Sequence, residues 1–113
     1  MSFSEKTCQP CRGGIPPLDE SASKLLLEHT PDWILCDNNT KLNRKFEFTN
    51  FVNALNFVNI VSEIAEEEGH HPDISFGWGY CIIELYTHKI KGLHENDFIM
   101  ASKISKLSEL NTT

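Results

Sequence analysis

The sequence predicts an α+β domain: a four-stranded antiparallel sheet made of two hairpins, with three helices packed on one face. Three observations carry this prediction. Residues 32–48 and 74–88 each hold two short apolar stretches about a turn, the mark of a hairpin. Residues 50–68 repeat apolar side chains at helical spacing, and a second such segment closes the chain at about 94–110. Two hairpins with long amphipathic helices between and after them favour helices layered on one face of an antiparallel sheet. At 113 residues the chain is expected to form one domain, here 18–113, after a flexible leader over 1–17. A chain of this length can bury roughly two-thirds of its unfolded surface and needs no covalent staple.

Each element has its own local reason. A short helix starts at Asp19 or Ser21 and runs to His29, and Pro31 follows close behind as a stop. Asp32-Trp-Ile-Leu-Cys36 is a strand, and Asp37-Asn38-Asn39-Thr40 has the composition of a turn. The return strand, 41–48, puts Leu42, Arg44, Phe46 and Phe48 in one phase. Thr49 is placed to cap the helix 50–68. Phe51, Ala54, Leu55, Val58, Val61 and Ala65 form its apolar stripe, and Phe57 and Ile64 widen it to about half the circumference. So wide a face asks for more cover than the sheet, from a second helix or a neighbouring subunit. Gly69 ends the helix as a C′ glycine. Pro72 forces an extended backbone before it. Ile74 to Trp78, a Gly77/Gly79 bend and Tyr80 to His88 make the second hairpin, with Cys81, Ile83, Leu85 and Thr87 on one face. Gly92 breaks the chain. Phe98, Ala101, Ile104, Leu107 and Leu110 mark the last helix.

Composition narrows the function classes. Ten Lys+Arg against 16 Asp+Glu give a formal charge of −6, which disfavours bulk electrostatic contact with nucleic acid. No apolar run approaches the ~20 residues of a membrane span, and the first residues, MSFSEKTCQPCRGG, lack the apolar core of a secretion signal. A cytoplasmic protein with reduced thiols is expected. Cys8 and Cys11 form a C-x-x-C in a Pro/Gly-rich stretch with no strand before it, and Cys36 and Cys81 are isolated. A tail carrying two thiols is the plain reading; a redox or metal role is its alternative.

Five histidines, two of them adjacent, are the oddity of the composition. Glu66, His70, His71, His88 and Asp97 all fall at element boundaries, where a rigid scaffold presents side chains to a site. An imidazole titrates near neutral pH and can give or take a proton. Two or three in one cleft suit general acid–base catalysis, worth about 10²–10⁴-fold in rate, with Asp97 accepting a ring N–H. A three-histidine metal site is the rival. Against it, adjacent histidines on extended backbone point to opposite sides.

The spacing of these residues resembles a known family. Glu66, three residues, His70-His71-Pro72, five residues, Trp78, nine residues, His88 and then Asp97 is similar to the pattern of pterin-4a-carbinolamine dehydratase, also described as the dimerisation cofactor of a homeodomain transcription factor. Phe46-Glu-Phe48-Thr-Asn-Phe51 resembles the family's F-x-F-x-x-F lead into its long helix. Trp33 sits where a tryptophan usually opens the first strand, and Thr87-His88, Gly92-Leu93 and Asp97 match a further segment. The likeness covers about residues 20–107.

The resemblance implies expulsion of water from a 4a-hydroxytetrahydropterin such as 4a-hydroxytetrahydrobiopterin, giving the quinonoid dihydropterin and renewing the cofactor used in aromatic amino acid hydroxylation. It implies His70 and His88 as proton-transfer groups, His71 in the pterin pocket, Glu66 and Asp97 as orienting carboxylates, and Pro72, Trp78 and Thr87 against the substrate. It implies no metal or redox cofactor, because nothing is oxidised or reduced overall. It also implies a homodimer or homotetramer, a functional link to an aromatic amino acid hydroxylase, and no direct nucleic-acid or membrane partner. A non-catalytic binding or coactivator module of the same fold is the alternative, as is a paralogue acting on another pterin, for instance around molybdopterin. One departure stands out: His94 occupies the place of the family's usual Ser or Thr cap before x-x-Asp. It is expected to weaken the last helix's cap by about 1 kcal/mol and to change the local partner of Asp97.

Overall fold

The structure, a computed structural model, describes residues 3–9 and 13–110. Its elements are α1 (Glu20–Leu27), β1 (Ile34–Cys36), β2 (Lys41–Glu47), α2 (Phe51–Glu68), β3 (Asp73–Gly77), β4 (Tyr80–Leu85) and α3 (Glu95–Leu110), with 3-10 turns at Phe3–Glu5 and His88–Ile90. The strands form one antiparallel sheet in the order β1-β2-β4-β3. The two hairpins join along β2 and β4, from Leu42 opposite Leu85 to Glu47 opposite Tyr80.

Residues that face each other across strands share a side of the sheet. Leu42, Phe46, Cys81, Ile83 and Leu85 are therefore one buried surface, extended onto β3 by Ile74 and Phe76. The helices cover that surface. From α2 come Ala54, Phe57, Val61 and Ala65, with the Phe57 ring 4.8 Å from Phe46 and 5.2 Å from Phe48. From α3 come Phe98, Ile99, Met100, Ala101 and Ile104. So many consecutive buried residues mean that α3 is covered on more than one side. The sheet and α2 flank it, and α1 and the turn at Phe3–Glu5 also lie against it. Arg44 points inward, as its phase requires, and donates to Ser105 Oγ of α3 at 2.9 Å. Its burial lowers the guanidinium pKa.

Several boundaries differ from the sequence reading for local reasons. Asn50, not Thr49, caps α2: its side chain accepts the Asn53 N–H at 2.8 Å, while Thr49 Oγ1 accepts from Asn53 Nδ2. The buried line of α2 runs through Ala54, Phe57, Val61 and Ala65, so Phe57 is central and Phe51 is 44% exposed, against Phe76. α1 stops at Leu27, and i→i+3 bonds carry the chain on through Thr30. β4 stops at Leu85. Thr87 bridges to Gly92 instead, closing a loop that contains the turn His88–Ile90. The side chain of Leu110 lies outside the described residues.

β3 and β4 are joined by Trp78 and Gly79 alone, since Gly77 pairs with Tyr80. Gly79 has φ +81°, and a Cβ there would lie 3.2 Å from the Phe48 carbonyl oxygen. That oxygen belongs to backbone already tied to the turn, because the Phe48 N–H donates to the Gly79 carbonyl at 2.8 Å. Gly79→Ala should lower unfolding free energy by about 1–2 kcal/mol, read as a lower urea midpoint at unchanged slope.

Parts of the leader are in contact with the domain. Phe3 is buried, its ring stacked on His29 at 4.4 Å. Lys103 Nζ donates to the Ser4 carbonyl at 2.9 Å. Further on, Pro17 lies against Gly92, and the Leu18 N–H donates to the Leu93 carbonyl at 2.9 Å.

Candidate active site

The site begins where α2 ends. Gly69 takes φ +66°, a left-handed value that suits a residue without a Cβ, and turns the chain out of the helix. The His70 N–H still reaches the Ala65 carbonyl at 3.2 Å. His70 is thereby fixed just beyond the helix, and His71 and Pro72 lead extended into β3.

His70 Nε2–H donates to Asp97 Oδ1 at 2.6 Å. Asp97 is fully buried in the first turn of α3. Its other oxygen accepts from Thr87 Oγ1 at 2.8 Å and from the His94 N–H at 3.0 Å. Three donors from three segments thus converge on one carboxylate. The bond at Nε2 assigns the His70 ring proton to that nitrogen and leaves Nδ1 with no partner among the described residues.

His94 does not weaken the cap in the way expected. Its Nδ1 accepts the Asn96 N–H at 3.0 Å, while Asp97 Oδ2 accepts the His94 N–H. This is the reciprocal arrangement of a capping box with a ring nitrogen in place of a hydroxyl. Asp97 therefore serves the helix end and His70 together, one oxygen to each.

The other candidates are distributed around this cluster. His71 Nε2 pairs with Glu66 Oε2, both side chains exposed. The adjacent histidines go to different carboxylates, as extended backbone dictates. His88 opens the 3-10 turn, exposed, with its ring 4.1 Å from Tyr86. It follows Thr87, so Thr87 links it through the backbone to the carboxylate that holds His70. Pro72 is half-buried between His71 and β3. Trp78 stands at the far end of β3, 72% exposed; the whole 5-residue strand, roughly 16 Å of extended chain, lies between it and the His70-His71-Pro72 segment. The structure joins His70, Asp97 and Thr87 and leaves Trp78 apart. Among the described residues, no group of three or more His, Cys, Asp or Glu side chains is placed to hold a metal ion.

The family model for pterin 4 alpha carbinolamine dehydratase matches residues 16–107. The chain belongs to this family. A relative from Methylococcus capsulatus, named provisionally as a pterin-4-alpha-carbinolamine dehydratase, is 57% identical over 107 residues, covering 95% of this chain and 94% of its own. One from Cupriavidus pinatubonensis, named likewise, is 55% identical over 106 residues, or 94% and 91% of the two chains. Among solved structures, a transcriptional coactivator/pterin dehydratase from Brucella melitensis superimposes with a TM-score of 0.76 at 28% identity, over 80% of this chain and 97% of that one. A pterin dehydratase-like protein described as a RuBisCO assembly factor of the alpha-carboxysome shares the fold, with a TM-score of 0.59 at 24% identity over 68% and 89% of the chains.

In this family member, two residues behind the site escaped the sequence reading. Asn96 is 2% exposed, and its amide exchanges hydrogen bonds with the backbone of Gln9. Glu68 accepts the Cys8 N–H at 2.8 Å. A signal existed only in hindsight: an Asn and a Glu next to helix ends usually face water, and their burial depends on a leader that has no periodicity.

The thiols of Cys8 and Cys81 are poor nucleophiles. Burial, and then the Glu68 carboxylate, push the Cys8 thiol up to about 12, and burial pushes Cys81 up to about 11. An acid whose pKa rises holds its proton at neutral pH, and the thiolate is the reactive form. Iodoacetamide at pH 7.5 should therefore label Cys8 and Cys81 far more slowly in the folded protein than in urea, read by mass spectrometry. Rapid labelling of Cys8 in the folded state would contradict this. Cys11 lies outside the described residues.

Proposed function

We propose that this chain dehydrates a 4a-hydroxytetrahydropterin, 4a-hydroxytetrahydrobiopterin being the expected substrate, by histidine general acid–base catalysis. The observation that carries the reading is the 2.6 Å bond from His70 Nε2–H to a fully buried Asp97. Loss of the 4a-hydroxyl breaks a C–O bond and needs a proton on the departing oxygen. The neighbouring ring nitrogen pushes with its lone pair and gives up its proton, so the products are water and the quinonoid dihydropterin. His70, held at Nε2, can take and return a proton at Nδ1, and Asp97 steadies the imidazolium while it lasts. His88 serves as the second proton-transfer group. His71 with Glu66 borders the pterin, with Pro72 next to His71 in the chain and Thr87 next to His88.

The setting is recycling of the pterin beside an aromatic amino acid hydroxylase in the cytoplasm, by a homodimer or homotetramer. Trp78 would meet a substrate across a subunit boundary. Light scattering tests the assembly, and a monomer at micromolar concentration would count against it.

The deciding experiment follows dehydration of enzymatically generated 4a-hydroxytetrahydropterin. Acceleration over buffer supports the proposal. No acceleration would leave the binding or coactivator role as the better reading.

A further inference from the structure

The two partners of the His70–Asp97 bond ride on separate elements. His70 follows the last turn of α2, and Asp97 lies in the first turn of α3. Two consecutive leader residues reach a partner beside each. The Cys8 N–H donates to Glu68 Oε1 at 2.8 Å, two positions before His70. The Gln9 N–H donates to Asn96 Oδ1 at 2.9 Å, and Asn96 Nδ2 donates back to the Gln9 carbonyl at 2.6 Å, one position before Asp97. These contacts are withdrawn from water: Asn96 is 2% exposed and the Glu68 side chain 9%. Upstream, the buried Phe3 and the bond from Lys103 to the Ser4 carbonyl anchor the same strap, and Lys103 also pairs with Glu68 at 3.6 Å.

We propose that residues 8–9 staple the end of α2 to the start of α3, and that Glu68 and Asn96 are positioning residues that hold His70 against Asp97. The residue types suit the task. Gln9 presents one backbone donor and one acceptor at the same place, and a primary amide offers one of each in return. An aspartate at 96 would face the Gln9 carbonyl with oxygen, and an alanine would leave both backbone groups unpaired. At 68 only an acceptor is required for the Cys8 N–H, so glutamine can replace glutamate there. A bond of 2.6 Å tolerates little displacement of its two ends. Loosening the staple therefore loosens the histidine without touching it. The effect on catalysis rests on the dehydratase reading; the effect on the His70 bond does not.

The test uses the full chain with ring-labelled histidine. Nuclear magnetic resonance follows hydrogen exchange of the Cys8 and Gln9 amides and of the His70 Nε2 proton. In the wild type all three should be protected. In Glu68→Ala and in Asn96→Ala the two amides should open, and exchange at His70 Nε2 should rise about tenfold or more, while amides of β4 keep their protection. Glu68→Gln should restore the wild-type pattern. In the dehydration assay both alanine variants should lose kcat with KM retained. Opening of the strap with His70 exchange within about twofold of wild type would overturn the proposal. So would unprotected Cys8 and Gln9 amides in the wild type. Should Asn96→Ala fail to fold, the two Glu68 variants decide alone. Because the exchange readout needs no substrate, an inactive enzyme and a missing staple give different results.

Discussion

His70→Ala should slow dehydration about 10²–10⁴-fold, the usual contribution of a positioned general acid or base. The loss should fall on kcat with KM little changed, because a proton transferred in the transition state adds little to ground-state binding. The fold should survive. Asp97 keeps the Thr87 hydroxyl and the His94 N–H as donors when the ring is gone, and the His70 side chain is 11% exposed, so water can reach the space it leaves. The urea midpoint should therefore move little, which separates lost chemistry from lost structure. His88→Ala should fall in the same range. His71→Ala should cost less, because its partner Glu66 is exposed and their pair is open to solvent. Losses under tenfold for both His70→Ala and His88→Ala would sink the acid–base assignment, whatever the fold.

The architecture was legible because two strong periodicities wrote it. The alternation through Leu42, Phe46, Cys81, Ile83 and Leu85 is the inner face of the joined hairpins, and the helical spacing of Ala54, Val61 and Ala65 is the seam of α2. Gly69 and Pro72 announced the break that delivers His70. Cap chemistry was less legible. Thr49 and Asn50 are both good caps, and only the backbone decides that Asn50 takes the extended conformation a cap needs. His94 was read as a damaged cap because a ring nitrogen is rarely counted among capping acceptors; its Nδ1 does the work of the hydroxyl. A ring N–H on Asp97 was expected, but the further convergence of the Thr87 hydroxyl and the His94 N–H on the same carboxylate could not be read. It joins residues 70, 87, 94 and 97 through bonds that depend on how β4 leaves the sheet and closes its loop at the Thr87–Gly92 bridge. The contacts of the leader depend likewise on burial partners far away in sequence.

Asp97→Asn should abolish most of the activity while keeping most of the stability. The reason lies in what each oxygen accepts. Oδ2 takes the Thr87 hydroxyl and the His94 N–H, and Oδ1 takes His70 Nε2–H. An asparagine can place its single oxygen on the Thr87 and His94 side and keep both of those bonds, including the one that ties the start of α3. Its NH₂ group then faces His70 and can only donate. His70 must accept at Nε2, which moves its proton to Nδ1, the atom assigned to the substrate. The ring stays in place in the wrong tautomer, and the carboxylate that would steady an imidazolium is gone. The rate should approach that of His70→Ala, a fall of about 10²–10⁴-fold, with stability reduced by about 1 kcal/mol. Asp97→Ala differs in kind. It leaves the buried Thr87 hydroxyl without an acceptor, at about 1–3 kcal/mol, and the half-buried His94 N–H unpaired as well, so it should lose activity and stability together. Nitrogen chemical shifts of the His70 ring report the tautomer directly, and urea midpoints report the fold. A wild-type rate in the asparagine variant would show that Asp97 only caps α3. A loss of stability as large as in the alanine variant would show that both bonds at Oδ2 need the charge.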